Sequence, residues 1–208
     1  MLPTVTPLKL QLQHTPFSDP DWLFEVKHDG FRVLAYIEGG ACRLVSRKGN
    51  EYRRKRLVEL AGSLSALPHD VILDGELVCL DDEGRTLFYD MMFHRAPAYF
   101  YAFDMLWLDG EDLRDQSCVE RKATLKDVVS VGPASLLYVD HIEAEGERLF
   151  EQVCACDMEG IVAKPKLSLY RDQGRTPWIK IKNAEYSQAE GRGELFRPKA
   201  EGLRQSPG

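Results

Sequence analysis

Residues Val71-Ile72-Leu73-Asp74-Gly75-Glu76-Leu77-Val78-Cys79 form an apolar run with two acids at its centre. The aliphatic content suits a buried strand. A carboxylate inside such a strand is costly unless it is paired or bound to a cation, so the fold has to supply that partner. Period-two alternation puts Asp74 and Glu76 on one face. A second polar strand has the complementary charge. In Trp178-Ile179-Lys180-Ile181-Lys182, the two lysines share one face and the two isoleucines the other. An edge strand guarded by lysines gives the same pattern.

Around these segments the chain is strand-rich. Residues 31–37 and 41–46, joined at Gly39-Gly40, predict a hairpin. Strands are expected at 71–79, 99–108, 136–140, 160–164 and 178–182. Apolar spacing predicts helices at 54–65 and 146–157, and a further helix is expected at 119–130. The basic run Arg53-Arg54-Lys55-Arg56 reads as a solvated face of the first helix. No regular strand–helix alternation is present. The expected class is therefore α+β, with mainly antiparallel sheets flanked by helices rather than a doubly wound sheet. Three regions are expected: an extended, proline-punctuated arm over 1–21, a folded domain over 22–187, and a flexible tail over 188–208.

Composition excludes several classes. With 27 basic and 33 acidic residues the formal charge is −6, a poor match for a purely electrostatic DNA coat, although a local basic groove remains open. Five cysteines without a C-x-x-C pair do not form a disulfide framework. No apolar run approaches the roughly 18 residues of a membrane span. Pro3, Pro7, Pro16 and Pro20 break up any leader. The expectation is a soluble, cytoplasmic protein with no membrane partner.

The polar residues at strand ends carry the chemistry. Lys27-His28-Asp29-Gly30-Phe31-Arg32 precedes the hairpin, and Glu159-Gly160-Ile161-Val162-Ala163-Lys164 follows a helix. Cations set against carboxylates on the polar faces of sheets suit a polyphosphate with a divalent metal. Neither a G-x-x-x-x-G-K-[ST] nor a G-x-G-x-x-G loop is present, so any such site uses another scaffold.

With these motifs in order, the sequence resembles the nucleotidyltransferase domain of ATP-dependent DNA ligases over roughly residues 20–188. It looks closest to the ligase module of bacterial end-joining ligases. Glu25 to Arg32 matches the K-x-D-G-x-R motif, Ser46-Arg47-Lys48-Gly49 the next, and Leu73 to Leu77 a third. Ala102-Phe103-Asp104, the E-G-x-V-x-K segment and the Lys180/Lys182 pair complete the set. The resemblance implies an ATP-grasp-like fold and an enzyme acting in DNA repair and recombination, with ATP and Mg²⁺ or Mn²⁺ as cofactors. Lys27 would attack the α-phosphorus of ATP to form a lysyl-AMP intermediate. AMP would then pass to a DNA 5′-phosphate, and a 3′-hydroxyl would displace it. A free lysine, with a pKa of about 10.4, is a poor nucleophile at neutral pH. Desolvation and nearby cations improve it.

The implied roles are specific. Lys180 and Lys182 supply cations for the phosphates, and Asp29 and Arg32 serve the later steps and the ribose. Glu76 accepts a ribose hydroxyl, Phe103 stacks on the base, and Glu25 reaches the adenine amino group. Lys164 contributes to nucleotide binding. Glu159, with Glu76, would hold the metal, and Arg47 and Lys48 would contact nucleic acid. Arg121 is expected to be a solvated helix charge, and His28, His94 and His141 structural or exposed. The expected partner is nicked or broken duplex DNA. Ligases of this family continue into an OB-fold domain, which is not expected here. A separate protein would then supply the missing clamp. An RNA ligase, or a non-catalytic nucleotide- or DNA-end-binding module, is the alternative.

Overall fold

A computed structural model describes residues 1–93, 95–171 and 176–189. In chain order the elements are β1 (Gln11–Gln13), β2 (Asp19–Val26), β3 (Phe31–Glu38), β4 (Ala41–Ser46), α1 (Lys55–Leu64), β5 (Val71–Val78), α2 (Phe88–Phe93), β6 (Tyr99–Leu108), β7 (Glu111–Asp112), α3 (Cys118–Ser130), β8 (Leu136–Tyr138), β9 (His141–Ala144), α4 (Gly146–Ala155), β10 (Gly160–Pro165) and β11 (Ile179–Lys182). One sheet runs β1-β11-β10-β2-β9. The other runs β4-β3-β5-β6-β7, with β8 alongside β6. The β1–β11 and β6–β8 pairs are parallel and the rest antiparallel. This is the expected α+β class.

Each sheet has one apolar face covered by helices and a second face turned to the other sheet. On β3, Val33, Ala35 and Ile37 join the core that includes Leu57, Leu60 and Leu64 of α1 and Leu125 and Val128 of α3. Alternate residues Leu34 and Tyr36 pack on the opposite side with Ile72, Leu106, Tyr170 and Trp178. In the other sheet, Phe24, Ile161, Ala163 and Ile181 pack under Val153 of α4. Glu25, Lys27, Val162, Lys164 and Lys180 therefore face the gap between the sheets. The chain closes that gap with its N-terminal segment, where Leu2, Val5 and Leu8 are buried. Backbone N–H groups of Val5 and Leu8 donate to the hydroxyls of Tyr36 and Tyr170.

Two motif glycines are places where backbones touch. A Cβ on Gly30 would lie 2.0 Å from the Leu77 carbonyl oxygen. On Gly160, at φ +145°, it would lie 2.1 Å from the Ile181 oxygen. The first close approach joins the Lys27 segment to β5, and the second joins the Glu159 segment to β11.

Several elements escape a reading by periodicity. β2 begins at Asp19, within the expected arm, and its pairing with β9 shifts register between Asp19 and Leu23, around Pro20. The six-residue α2 is too short to display a helical repeat. Of the expected 188–208 tail, residues 190–208 lie outside the described residues, as does His94.

One expectation is overturned. Arg121 is not a solvated helix charge but is fully buried on α3. Its Nε and Nη2 each donate at 2.8 Å to the Asp104 carboxylate, and its Nη1 donates to the carbonyls of Gln116 and Ser168. Burying the next residue too, Lys122, leaves α3 with weak amphipathicity. Nothing in its spacing marked an inward-pointing charge.

Candidate active site

A cavity of about 370 Å³ opens between the two sheets. Its wall brings together Glu25, Lys27, Arg32, Arg47, Glu76, Phe103, Lys164 and Lys180 from the predicted set. Lys9, His28, Val139 and Trp178 complete much of the lining, and the motifs did not single them out for this role. Glu159 and Lys182 sit beside Lys27. Asp29 and Lys48 do not line the cavity. Asp29 is buried and accepts a 2.7 Å hydrogen bond from the Tyr186 hydroxyl, while Lys48 is exposed.

Lys27 follows the last residue of β2, where its N–H is held by the Gly160 carbonyl at 2.8 Å. Its Nζ lies 2.5 Å from Glu159 Oε2. Lys182 Nζ meets the other oxygen of the same carboxylate at 3.0 Å. Burial disfavours charge on Glu159, but these two lysines outweigh it and lower its pKa below the ordinary range. Lys180 is pushed down as well, first by desolvation and then by Lys182, Lys27 and Arg47. Cations thus converge on one side of the cavity, and among the described residues Arg47 and Lys180 have no carboxylate within ion-pair distance.

The acids of β5 divide their roles. Asp74 is fully buried and receives Arg32 bidentately, at 3.0 and 2.6 Å, and the Tyr170 hydroxyl at 2.6 Å. Burial alone would lower the pKa of Arg32, but Asp74 raises it. This pair answers the demand set by an acid inside an apolar strand. Glu76 has no such close partner among the described pairs. Burial drives its pKa up to about 8, against the pull of Lys27 and Arg32. Phe103 is half-buried, with the Arg32 guanidinium 5.3 Å and the Lys164 ammonium 4.7 Å from its ring.

At the inner end, Glu25 lies between Lys122 and Lys164, each 2.7 Å from one of its oxygens. Glu25 Oε1 is buried and makes no hydrogen bond of good geometry. Among the described residues no three His, Cys, Asp or Glu side chains converge as a metal cluster. Likewise, no described helix is long and apolar enough to cross a membrane.

His28 stacks on Tyr101, with centroids 4.0 Å apart and planes at 10°. Desolvation lowers its pKa from 6.5 to about 4. Between these values the unfolded chain binds more protons at this site, so the folded state loses stability as pH falls through the window. His28→Phe keeps a ring over Tyr101 and cannot titrate. Urea midpoints measured from pH 7 to 4 should fall less steeply for this variant. Parallel curves would show that His28 contributes nothing to acid sensitivity.

Residues 3–182 match the family described as ATP dependent DNA ligase domain. The chain is 35% identical over 169 residues to the multifunctional non-homologous end joining protein LigD of Pseudomonas aeruginosa. That alignment covers 78% of this chain and 20% of the relative, so the chain spans about a fifth of that protein's length. It is 29% identical over 201 residues to DNA ligase C of Mycobacterium tuberculosis, covering 88% of this chain and 56% of the relative. The crystal structure of the ligase domain of M. tuberculosis LigD superposes with a TM-score of 0.71 at 30% identity, covering 85% of this chain and 59% of that one. A mycobacterial DNA ligase D complexed with ATP and MES gives 0.70 at 30% identity, covering 84% and 60%.

Proposed function

The chain belongs to the ATP dependent DNA ligase domain family, and from that premise we propose that it takes AMP from ATP onto Lys27 and passes it to a 5′-phosphate of nicked or broken duplex DNA. The observation that carries this reading is the position of Lys27 Nζ. It lies in a cation-rich cavity, held at 2.5 Å by the Glu159 carboxylate. In the first step the unprotonated amine forms a P–N bond to the α-phosphorus, the bond to the β-phosphate oxygen breaks, pyrophosphate leaves, and the proton lost from the nitrogen passes to solvent. Lys180, Lys182 and Arg47 offset the charge on the phosphates. AMP then moves to the DNA 5′-phosphate, and attack by a 3′-hydroxyl on that phosphate releases it.

The cavity suits adenosine triphosphate chemically. The Glu25 carboxylate lines the cavity as an acceptor for an amino group, and Phe103 offers a ring for the base. Glu76, whose pKa burial raises, is suited to hydrogen-bond a ribose hydroxyl. Lys164 holds Glu25, and Arg32 holds Asp74 below the base. A divalent magnesium or manganese ion would be held by Glu159 and Glu76 with phosphate oxygens. Such ions often take only one or two protein carboxylates. When bound, the metal neutralises developing phosphate charge. Arg47 and Lys48 are exposed and available to DNA phosphates. Asp29 acts in the later steps through the segment that Tyr186 ties to it. We place the protein's work in the bacterial cytoplasm, with further protein surface completing the grip on DNA.

The test is incubation of the chain with ATP and Mg²⁺ or Mn²⁺, followed by intact-mass measurement and peptide mapping. One added AMP on Lys27, released on addition of nicked duplex DNA with sealing of the nick, is expected. ATP binding without an adduct under either metal would replace the ligase reading with a binding module. Preferential sealing of nicked RNA would move the substrate class.

A further inference from the structure

Lys122 belongs to none of the catalytic motifs and does not line the cavity, yet it is completely buried on α3. Burying an ammonium is costly unless several partners replace water. Three do so here. Nζ donates to the Val139 carbonyl at 2.6 Å, lies 4.3 Å from the Tyr138 ring centre, and sits 2.7 Å from Glu25 Oε1. On the other side of the same carboxylate, Lys164 is held by the Phe103 carbonyl at 3.1 Å and by the Trp178 ring at 4.2 Å. Glu25 is thus gripped from two sides by ammonium groups that are themselves anchored, so its plane cannot turn. Oε1 remains without a well-aligned hydrogen bond, on a residue that lines the cavity.

We propose that Lys122 is a specificity-determining positioning residue of the nucleotide site: it pins the Glu25 carboxylate so that the cavity favours a base edge carrying an amino group over one carrying a carbonyl oxygen. This deepens the ligase reading and rests on it. A fixed carboxylate accepts from the amino group of adenine and repels the oxygen at the same place in guanine. A carboxylate free to rotate discriminates less, because it can turn its charge towards Lys164. The buried setting strengthens both the attraction and the repulsion. Removing Lys122 leaves one carboxylate facing one ammonium, so no charge is stranded and the fold should tolerate the change.

The test is isothermal titration of the full chain with ATP and with GTP, for wild type, Lys122→Met, Glu25→Gln and the double variant. Wild type should bind ATP more tightly than GTP. Lys122→Met should narrow that ratio by about tenfold, the size expected for a hydrogen bond to a charged group. The double variant should narrow it no further than Glu25→Gln alone, since Lys122 acts through Glu25. The rate of adduct formation at saturating ATP should change far less than the ATP concentration giving half-maximal rate. An unchanged ratio in Lys122→Met, or additive losses in the double, overturns the proposal. So does a wild type without preference. Lys122→Gln, which keeps volume and a donor for Val139, carries the same expectation if the Met variant does not fold. A wild type that prefers ATP but forms no adduct defeats the ligase reading while leaving this ratio test intact.

Discussion

Lys27→Ala is expected to eliminate the AMP adduct while leaving the fold and the ATP pocket in place. The side chain is partly exposed, and its main partner, Glu159, keeps Lys182 at 3.0 Å. Loss of Lys27 therefore does not strand a buried carboxylate. The loss falls on covalent chemistry. Lys180 also lines the cavity, but it projects from a different strand and cannot occupy the same point. Removing a nucleophile commonly lowers the chemical step by roughly 10⁴-fold or more. Lys27→Arg should fail equally, because a guanidinium remains protonated and cannot attack phosphorus. ATP affinity should change much less than labelling. Residual labelling near the wild-type rate in Lys27→Ala would assign the nucleophile elsewhere.

The second large effect concerns stability. Asp104→Ala should destabilise the chain by about 3–5 kcal/mol, the usual result of removing one member of a buried ion pair. Both partners are completely buried, and the contact is bidentate at 2.8 Å. Among the described residues the variant leaves the Arg121 guanidinium with the Gln116 and Ser168 carbonyls and the Tyr170 ring, and with no carboxylate. It also removes an acceptor for the Met105 N–H. On a protein whose total stability is of order 5–15 kcal/mol, this is a large fraction. Asp104→Leu combined with Arg121→Met should cost less than either single removal, because no unpaired charge remains. Urea unfolding of the two singles and the double gives the comparison. Equal and additive losses would show that packing, rather than the stranded charge, dominates.

The site was legible where polar residues interrupt apolar strands. The alternation in Trp178 to Lys182 predicted that the lysines lie opposite the isoleucines. Ile181 is buried under α4, while Lys180 lines the pocket. The acids of β5 demanded cations, and Arg32 meets Asp74 from the neighbouring strand. Arg121 and Lys122 were not legible. They are consecutive residues of one helix, yet the first pairs with β6 in one sheet and the second with β2 in the other. A helix that ties two sheets by buried charges lacks the apolar stripe on which a periodic reading depends. The N-terminal arm was similarly opaque. Its prolines describe an extended chain, whereas its docking depends on hydroxyls of Tyr36 and Tyr170 far along the sequence.

By itself, then, the sequence determined the strand-rich class, the lysine–carboxylate chemistry and the order of the motifs. Those properties are written in alternation and in residue type, which act locally. Only the tertiary structure decided which oxygen of Glu159 faces Lys27, which acid is neutralised by Arg32, and that Glu25 is gripped by Lys122 as well as Lys164. These are contacts between distant segments, and the desolvation that strengthens them exists only after the two sheets close on each other.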